Sequence, residues 1–230
     1  MSEPLAHSGN PVFVAHVRGD GKIQSLESHL SGVSQLAEEL AGKFGLHTHG
    51  ALLGLLHDLG KYSAAFQAYI QSATGLLNQD EDEEFVDAAG LKGKIDHSTS
   101  GAQWIWQELA QQGDLARIAG QVMALCIASH HSGLIDCLTL SAGKPAEDVF
   151  TKRMNKFGEK TYLHEVLGKV DKELLVTAHD LVMRPVATQA FQIWIAKILG
   201  NVPGETSGQK AQSPVFQQQL GLLVRSLFSF

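Results

Sequence analysis

The sequence predicts an all-α domain that carries one small β-hairpin near its N-terminus. Long segments with apolar residues at helical spacing predict the helices, and a single alternating β-branched stretch predicts the hairpin. The length of 230 residues suits one domain. Apolar residues make up 44% of the chain and charged residues 18%, which is typical of a globular domain with a buried core.

The spacing of apolar residues changes from alternating to helical near the N-terminus, and this change predicts a hairpin followed by a helix. Residues 12–17 (VFVAHV) alternate, Gly19-Asp20-Gly21 favours a turn, and residues 22–26 favour a return strand. His16 lies on the first strand, where a structural hydrogen bond is its commoner role. The next helix is expected from Leu26 to Phe44, with His29 beside an apolar stripe of Leu26, Leu30, Val33, Leu36, Ala37 and Leu40.

A histidine and an aspartate at the end of an apolar helix form the central motif. The run LLGLL leads directly into His57-Asp58. A carboxylate is rarely buried unless it is paired or binds a metal, so this position favours metal ligation. His47 and His49 open the same helix and are expected to be solvent-exposed. Gly60 is expected to let the chain change direction.

Two further helices are expected to begin or end in histidines. Asp96-His97-Ser98 opens one, with His97 in the first turn and Asp96 or Ser98 as the N-cap. The helix from Asp114 to Ser129 ends in His130-His131, whose side chains point about 100° apart on a regular helix. Both can serve one site only at a helix end or around two metals. Helices are also expected at 47–59, 63–72, 161–182, 186–200 and 212–228, with loops at 73–96 and 139–160 and a flexible connector at 200–214.

Charge and composition argue against several classes of protein. The chain has 18 Lys and Arg against 24 Asp and Glu, a net charge of −6, which does not suit a wide basic face for nucleic acid. The acidic run DEDEEFVD at 80–87 indicates a solvated loop, because its spacing fits no EF-hand. Cys126 and Cys137 are expected to be reduced thiols. Without a secretory signal or a membrane span, the sequence predicts a cytoplasmic domain.

Five imidazoles and one carboxylate are the candidate metal ligands: His29, His57, Asp58, His97, His130 and His131. This set suits a borderline transition metal, or two metals bridged by Asp58. In two-metal sites, ions about 3.5–4 Å apart clamp the attacking and leaving oxygens of a phosphodiester. Lys61, one helical turn after His57, could contact a phosphate. Its alternative is a solvent-facing lysine that favours the helix dipole.

The ordered motifs resemble a known family. His29 in ESHLSGV, His57-Asp58 in LLHDLGKYSAAFQ, His97 in DHSTSGA and His130-His131 in ASHHSGL are similar to the HD-superfamily nuclease domain of the CRISPR-associated helicase–nuclease of type I systems. VAHV, ahead of His29, fits the same pattern. The similarity runs from about residue 12 to 230. The combination is specific, whereas HD alone indicates only the wider superfamily.

The resemblance implies one HD nuclease domain over residues 1–230, with two divalent metal ions in an all-α fold. Mn, Co, Ni or Fe is favoured over Mg, which prefers an oxygen shell. The implied activity is endonucleolytic cleavage of single-stranded DNA, and the implied partners are a helicase domain or subunit and a guide-RNA surveillance complex, with no membrane. The implied ligands are His29, His57 and Asp58 for one metal and Asp58, His97, His130 and His131 for the other. The implied catalytic residues are Asp58, Lys61 and Ser98. Of these, Lys61 and Ser98 would contact the scissile phosphate.

Two departures from the family pattern accompany two open alternatives. The family has a further aspartate after its final helix, and this sequence stops at Phe230, so the first metal is expected to be held less firmly than the second. No segment matches the P-loop pattern GxxxxGK[ST], so the helicase is expected elsewhere, fused or separate. One alternative is a nucleotide phosphohydrolase, against which the sequence offers no cluster of Arg and Lys near the motifs. The other is a metal-poor interaction module.

Overall fold

The fold is mainly α-helical in a computed structural model, as the sequence predicted. The structure describes residues 12–139, 143, 145–158, 161–200, 210 and 213–229. Two short 3₁₀ helices, Leu59–Tyr62 and Ala88–Gly90, accompany the α-helices. The α-helices are α1 (Leu26–Gly42), α2 (His47–Leu56), α3 (Ala64–Ala73), α4 (Thr99–Ala110), α5 (Asp114–Ser129), α6 (Val149–Met154), α7 (Leu163–Lys169), α8 (Lys172–Met183), α9 (Pro185–Gly200) and α10 (Pro214–Phe228).

Two small antiparallel hairpins complete the described secondary structure. The predicted hairpin is present, with β1 (Val14–Val17) paired to β2 (Ile23–Ser25). Gly21 in its turn has a φ of 80°, a left-handed conformation that favours glycine. A second pair, β3 (Leu138–Thr139) and β4 (Glu147–Asp148), lies in the segment predicted as a loop around a short helix. A strand of two residues is too short to show the alternation of apolar and polar residues that identifies strands in a sequence.

Helices α1 and α2 form a hairpin whose close approach depends on small residues. A Cβ on Gly50 would collide with the Ala37 carbonyl, and one on Gly54 would lie 2.5 Å from the Ser34 nitrogen. The helices therefore meet along the small residues of α1, and the larger Leu36 is 57% exposed, contrary to the predicted stripe. The buried residues of α1 are Leu26, Leu30, Ser34, Ala37 and Ala41.

Helix α2 lies at the centre of the core. Every residue from Thr48 to Leu56 is buried, and neighbours on several sides are α1, α4, α5, α8 and α9. Each fully buried leucine contributes about 1.5–3 kcal/mol relative to exposure. His47 is exposed as expected, but the same expectation for His49 is wrong, because His49 is 1% exposed. Within the described residues, no helix combines the length and apolar character that a membrane crossing requires.

Three predicted segments differ from the structure in detail. The predicted helix over 161–182 is broken between α7 and α8, where Val170 is extended and Asp171 accepts a hydrogen bond from the Tyr62 hydroxyl at 2.6 Å. The helix expected to contain His97 in its first turn begins two residues later, at Thr99. The predicted connector at 200–214 lies almost wholly outside the described residues.

Candidate metal centre

The ends of several helices meet around a buried carboxylate. Asp58 follows α2 directly before the 3₁₀ helix and is 3% exposed. His29 comes from the first turns of α1, His97 immediately precedes the N-cap of α4, and His130 caps the C-terminus of α5. These positions place four polar side chains at one point of an otherwise apolar core.

One oxygen of Asp58 faces the N-terminal half of the cluster. Asp58 Oδ2 lies 3.1 Å from His29 Nε2 and 3.2 Å from His57 Nε2. The Lys61 ammonium lies 2.8 Å from the same oxygen. His16 also belongs to this side, because its ligand atom and those of His29 and Asp58 lie within 4.8 Å of one another. Sequence reasoning favoured a structural role for His16, although VAHV fitted the family pattern.

The other oxygen of Asp58 faces the C-terminal half. Asp58 Oδ1 lies 3.1 Å from His130 Nε2, 3.7 Å from His97 Nε2 and 3.8 Å from His131 Nε2. These four residues form a second group whose ligand atoms lie within 4.8 Å of one another. The structure thus brings all six candidate ligands together. Their division between Oδ2 and Oδ1 matches the two sets that the resemblance implied.

Three of the imidazoles share a hydrogen-bonding pattern that fits a bound cation. In each, Nδ1 lies within hydrogen-bond distance of a backbone carbonyl and donates to it. The pairs are His57 to Gly54 at 2.9 Å, His130 to Ile127 at 2.7 Å and His97 to Ile95 at 3.1 Å. A neutral imidazole that donates from Nδ1 carries a lone pair on Nε2. All three Nε2 atoms face Asp58, and such lone pairs repel a carboxylate unless a cation lies between them, so the donor set fits a metal ion.

The protonation of Asp58 and His97 agrees with this arrangement. Burial raises the pKa of the Asp58 carboxyl, but hydrogen bonds from the surrounding histidines, when their Nε2 atoms carry protons, lower it more strongly and hold it far below its usual range. A cation among the same atoms would favour the carboxylate in the same direction. Burial lowers the pKa of His97 to about 4, while the Asp58 charge acts in the opposite direction. Among the described residues, buried His97 Nε2 has no hydrogen-bond partner. At neutral pH His97 is therefore a neutral imidazole with a free lone pair.

Lys61 and Ser98 lie beside the centre but are held by protein groups. Lys61 is 4% exposed, so the alternative of a solvent-facing lysine is wrong. Its ammonium also lies 3.4 Å from the Ala15 carbonyl. Ser98 Oγ accepts a hydrogen bond from Arg153 Nη2 at 2.8 Å. Both residues line the cleft that opens onto the centre.

Close backbone approaches at two glycines position His97 and α4. The Gly60 amide donates to the His97 carbonyl at 3.0 Å, and a Cβ on Gly60 would lie 2.5 Å from His97 Cα. Gly60 does not have a positive φ, so glycine is needed here for the close approach and not for a left-handed conformation. Gly101 of α4 similarly packs against the Leu56 carbonyl at the end of α2. Larger residues at either position would push His97 away from Asp58.

A basic cleft adjoins the centre, which sequence reasoning missed. It is lined by His16, Lys61, His97 and His131 of the centre and by Lys92, Lys94, Arg153 and Lys156. The expectation that no cluster of Arg and Lys lies near the motifs is therefore wrong. The four outer basic residues come from segments about sixty positions apart. The packing of α6 against α4 and the ion pairs of Arg153 and Lys156 with Asp96 bring these segments together.

A comparison with protein families identifies the relationship. The family described as Cas3, HD domain matches residues 21–201, a span that contains all six candidate ligands. This chain belongs to the Cas3 HD-domain family. No curated protein matches it.

Membership of the Cas3 HD family confirms the relationship that the motifs indicated. It assigns the chain to metal-dependent hydrolases of the nuclease type, within CRISPR systems. The His/Asp cluster around Asp58 fits the divalent metals that HD domains bind.

Proposed function

We propose that this chain is a metal-dependent endonuclease that cleaves single-stranded DNA in type I CRISPR interference. In this role it acts with a helicase, as a domain or a subunit, and with a guide-RNA surveillance complex. The observation that carries the proposal is the division of Asp58, whose Oδ2 faces one set of histidines and whose Oδ1 faces another. A carboxylate placed in this way can bridge two metal ions.

The proposed ligands follow from that division. His29 and His57 would hold one metal with Asp58, and His97, His130 and His131 would hold the other with Asp58. Ligation this rich in imidazole suits Mn, Co, Ni or Fe better than Mg. When bound, the metals would lower the pKa of a water nucleophile and stabilise charge on the phosphate oxygens.

The side chains around the metals have separate proposed roles. The Lys61 ammonium, 2.8 Å from Asp58, offsets the buried negative charge and faces the cleft where a scissile phosphate would lie. Ser98 Oγ accepts from the Arg153 guanidinium and donates to Asp96 Oδ1 at 3.4 Å, so its proton would have to turn from Asp96 to reach a phosphate oxygen. The carbonyls that accept from His57 and His130 fix the direction of their Nε2 lone pairs.

The test combines metal content with a cleavage assay on single-stranded DNA. We expect cleavage that EDTA stops and that Mn²⁺, Co²⁺ or Ni²⁺ restores better than Mg²⁺. Asp58→Ala should abolish both cleavage and metal retention, because it removes the group common to both sets. The control, Asp180→Ala, makes the same substitution at an exposed aspartate of α8 and should behave as wild type. Undiminished cleavage by the Asp58 variant would eliminate the proposal.

The basic cleft is the one observation that favours a second candidate, a nucleotide phosphohydrolase. Its lysines and arginine would bind the phosphates of a nucleotide as well as those of a DNA strand. Release of phosphate from nucleotides, with no cleavage of single-stranded DNA by the same metal-loaded sample, would favour this candidate over the nuclease.

A further inference from the structure

The basic cleft continues beyond the metal centre into a second groove. Lys156 lines both, so the two depressions adjoin at this residue. The second groove lies between the start of α3 and the segment that leads into α7, and Phe157 and His164 line it. A surface path thus leads from the Asp58 centre, past Lys156, to Phe157.

The basic residues along this path fall into two kinds. Arg153 and Lys156 lie 3.8 and 2.9 Å from the Asp96 carboxylate, which neutralises part of their charge. Lys92 and Lys94 are exposed, and no ion pair within the described part of the chain involves either of them. Their positive charge is therefore available to an anionic ligand that lies in the basic cleft.

Phe157 is an aromatic side chain presented to solvent on a well-supported backbone. It is 83% exposed, more than any other large apolar residue in the described chain. The segment before it is held by buried Gln103, whose Nε2 donates to the Met154 carbonyl at 2.9 Å and to the Lys156 carbonyl at 2.7 Å. The Phe157 ring is thus exposed to solvent, while hydrogen bonds from Gln103 hold the backbone directly before it.

We propose that these features form an extended binding path for one strand of nucleic acid, in which Lys92 and Lys94 contact phosphates and Phe157 stacks on a base. The path rests on the proposed nuclease function and specifies how its substrate is held outside the metal centre. Proteins that bind single strands combine a positively charged groove with aromatic side chains on which bases stack. Every base has a π-face, so recognition by Phe157 is tolerant of sequence.

The strand runs from the centre, where Lys61 and the metals held by Asp58 would contact its scissile phosphate, to Phe157. Binding releases counterions from the phosphates that Lys92 and Lys94 neutralise, and affinity therefore falls with salt. Stacking on Phe157 depends much less on salt. The two contributions can be separated by measurement.

The first experiment measures binding of a fluorescent oligothymidine in EDTA, where no cleavage occurs, across a range of salt concentrations. Each phosphate contact contributes roughly 0.7 to the slope of log affinity against log salt, so the double variant Lys92→Ala/Lys94→Ala should lower that slope by about 1.4. The matched control, Lys43→Ala/Lys172→Ala, removes two exposed lysines that line neither groove and should leave the slope unchanged.

The aromatic contact is tested with two conservative variants. Phe157→Leu keeps an apolar side chain without a ring and should weaken binding by about fivefold or more, since a stacked base contributes roughly 1–3 kcal/mol. Phe157→Tyr keeps the ring and should bind within about twofold of wild type, because a phenol ring stacks equally well. Equal losses in both variants would overturn the stacking role.

A second substrate separates the path from the metal centre. The lysine and Phe157→Leu variants should lose much more of their rate on single-stranded DNA than of their rate on the small chromogenic ester bis(p-nitrophenyl) phosphate with Mn²⁺, because the ester is too short to extend along the path. If the wild-type protein hydrolyses neither substrate, the nuclease proposal fails, while the binding slopes still decide the path. A wild-type salt slope in the lysine variant, or equal loss of ester and DNA hydrolysis, would overturn the path.

Discussion

The two ends of α2 place the same side chain in opposite settings. His49, near the start of the helix, is 1% exposed and packs against Phe191, with the two ring centroids 5.8 Å apart. Its Nδ1 is buried without a hydrogen-bond partner among the described residues. His57, directly after the helix, donates from Nδ1 to Gly54 and faces Asp58 with Nε2.

The difference shows what makes a buried histidine suitable for metal binding. Burial alone lowers the pKa of His49 to about 4, which leaves a neutral ring in an apolar site, and no carboxylate in the described part of the chain shifts that pKa. His57 has both a carbonyl that fixes its tautomer and an anionic neighbour that a cation can share. A hydrogen-bonded orientation together with a facing carboxylate, rather than burial, distinguishes the two positions.

The first prediction concerns substitutions of the two histidines, which should differ most in their effect on metal retention and cleavage. His57→Ala should lower metal retention and DNA cleavage by more than the roughly 10–100-fold that loss of an outer-sphere partner causes. His49→Leu should leave both unchanged, because the ring lies away from Asp58 and leucine suits its apolar surroundings. Metal content after dialysis and initial cleavage rates measure the contrast. Comparable losses in the two variants would show that general damage to α2, not ligation, explains the result.

The sequence predicted the residues of the centre better than their surroundings. His57 and Asp58 were recognisable because two polar residues interrupt an apolar run. The sequence could not show that His49 is buried, since α9 covers it from a segment about 140 positions away. The basic cleft was missed for the same reason, because Lys94 and Lys156 are brought together only by tertiary packing. Periodicity reports one face of one helix, not which neighbour covers it.

The second prediction concerns the pH dependence of stability that buried His49 causes. The folded pKa of His49, about 4, lies below its ordinary value of 6.5, so the unfolded chain binds the proton more tightly. The stability that neutral His49 contributes is therefore complete above pH 6.5 and is lost as pH falls towards 4. Between pH 7.5 and 5 this group should cost wild type about 2 kcal/mol.

Urea unfolding of wild type and His49→Leu at the two pH values isolates this contribution. The variant should lose about 2 kcal/mol less than wild type on acidification, because leucine does not titrate. The residues of the metal centre are the same in both proteins, so any effect they have on the acid loss cancels in the difference. His47→Leu removes the same ring from an exposed position and is the matched control; it should spare less of the stability lost on acidification than His49→Leu does. An unchanged acid loss in His49→Leu would mean that His49 is solvated in the folded state.

The third prediction concerns two glycines, one near each end of α2. Gly50 meets the Ala37 carbonyl and Gly60 meets His97, so Gly50→Ala and Gly60→Ala should each destabilise the fold by about 1–3 kcal/mol through overpacking. Only Gly60→Ala should also weaken metal retention, because the movement it forces displaces His97 from Asp58. Gly32→Ala, in open space on α1, should instead stabilise by up to about 1 kcal/mol. Thermal unfolding and metal content of the three variants test this, and equal metal loss in the Gly50 and Gly60 variants would contradict a positioning role for Gly60.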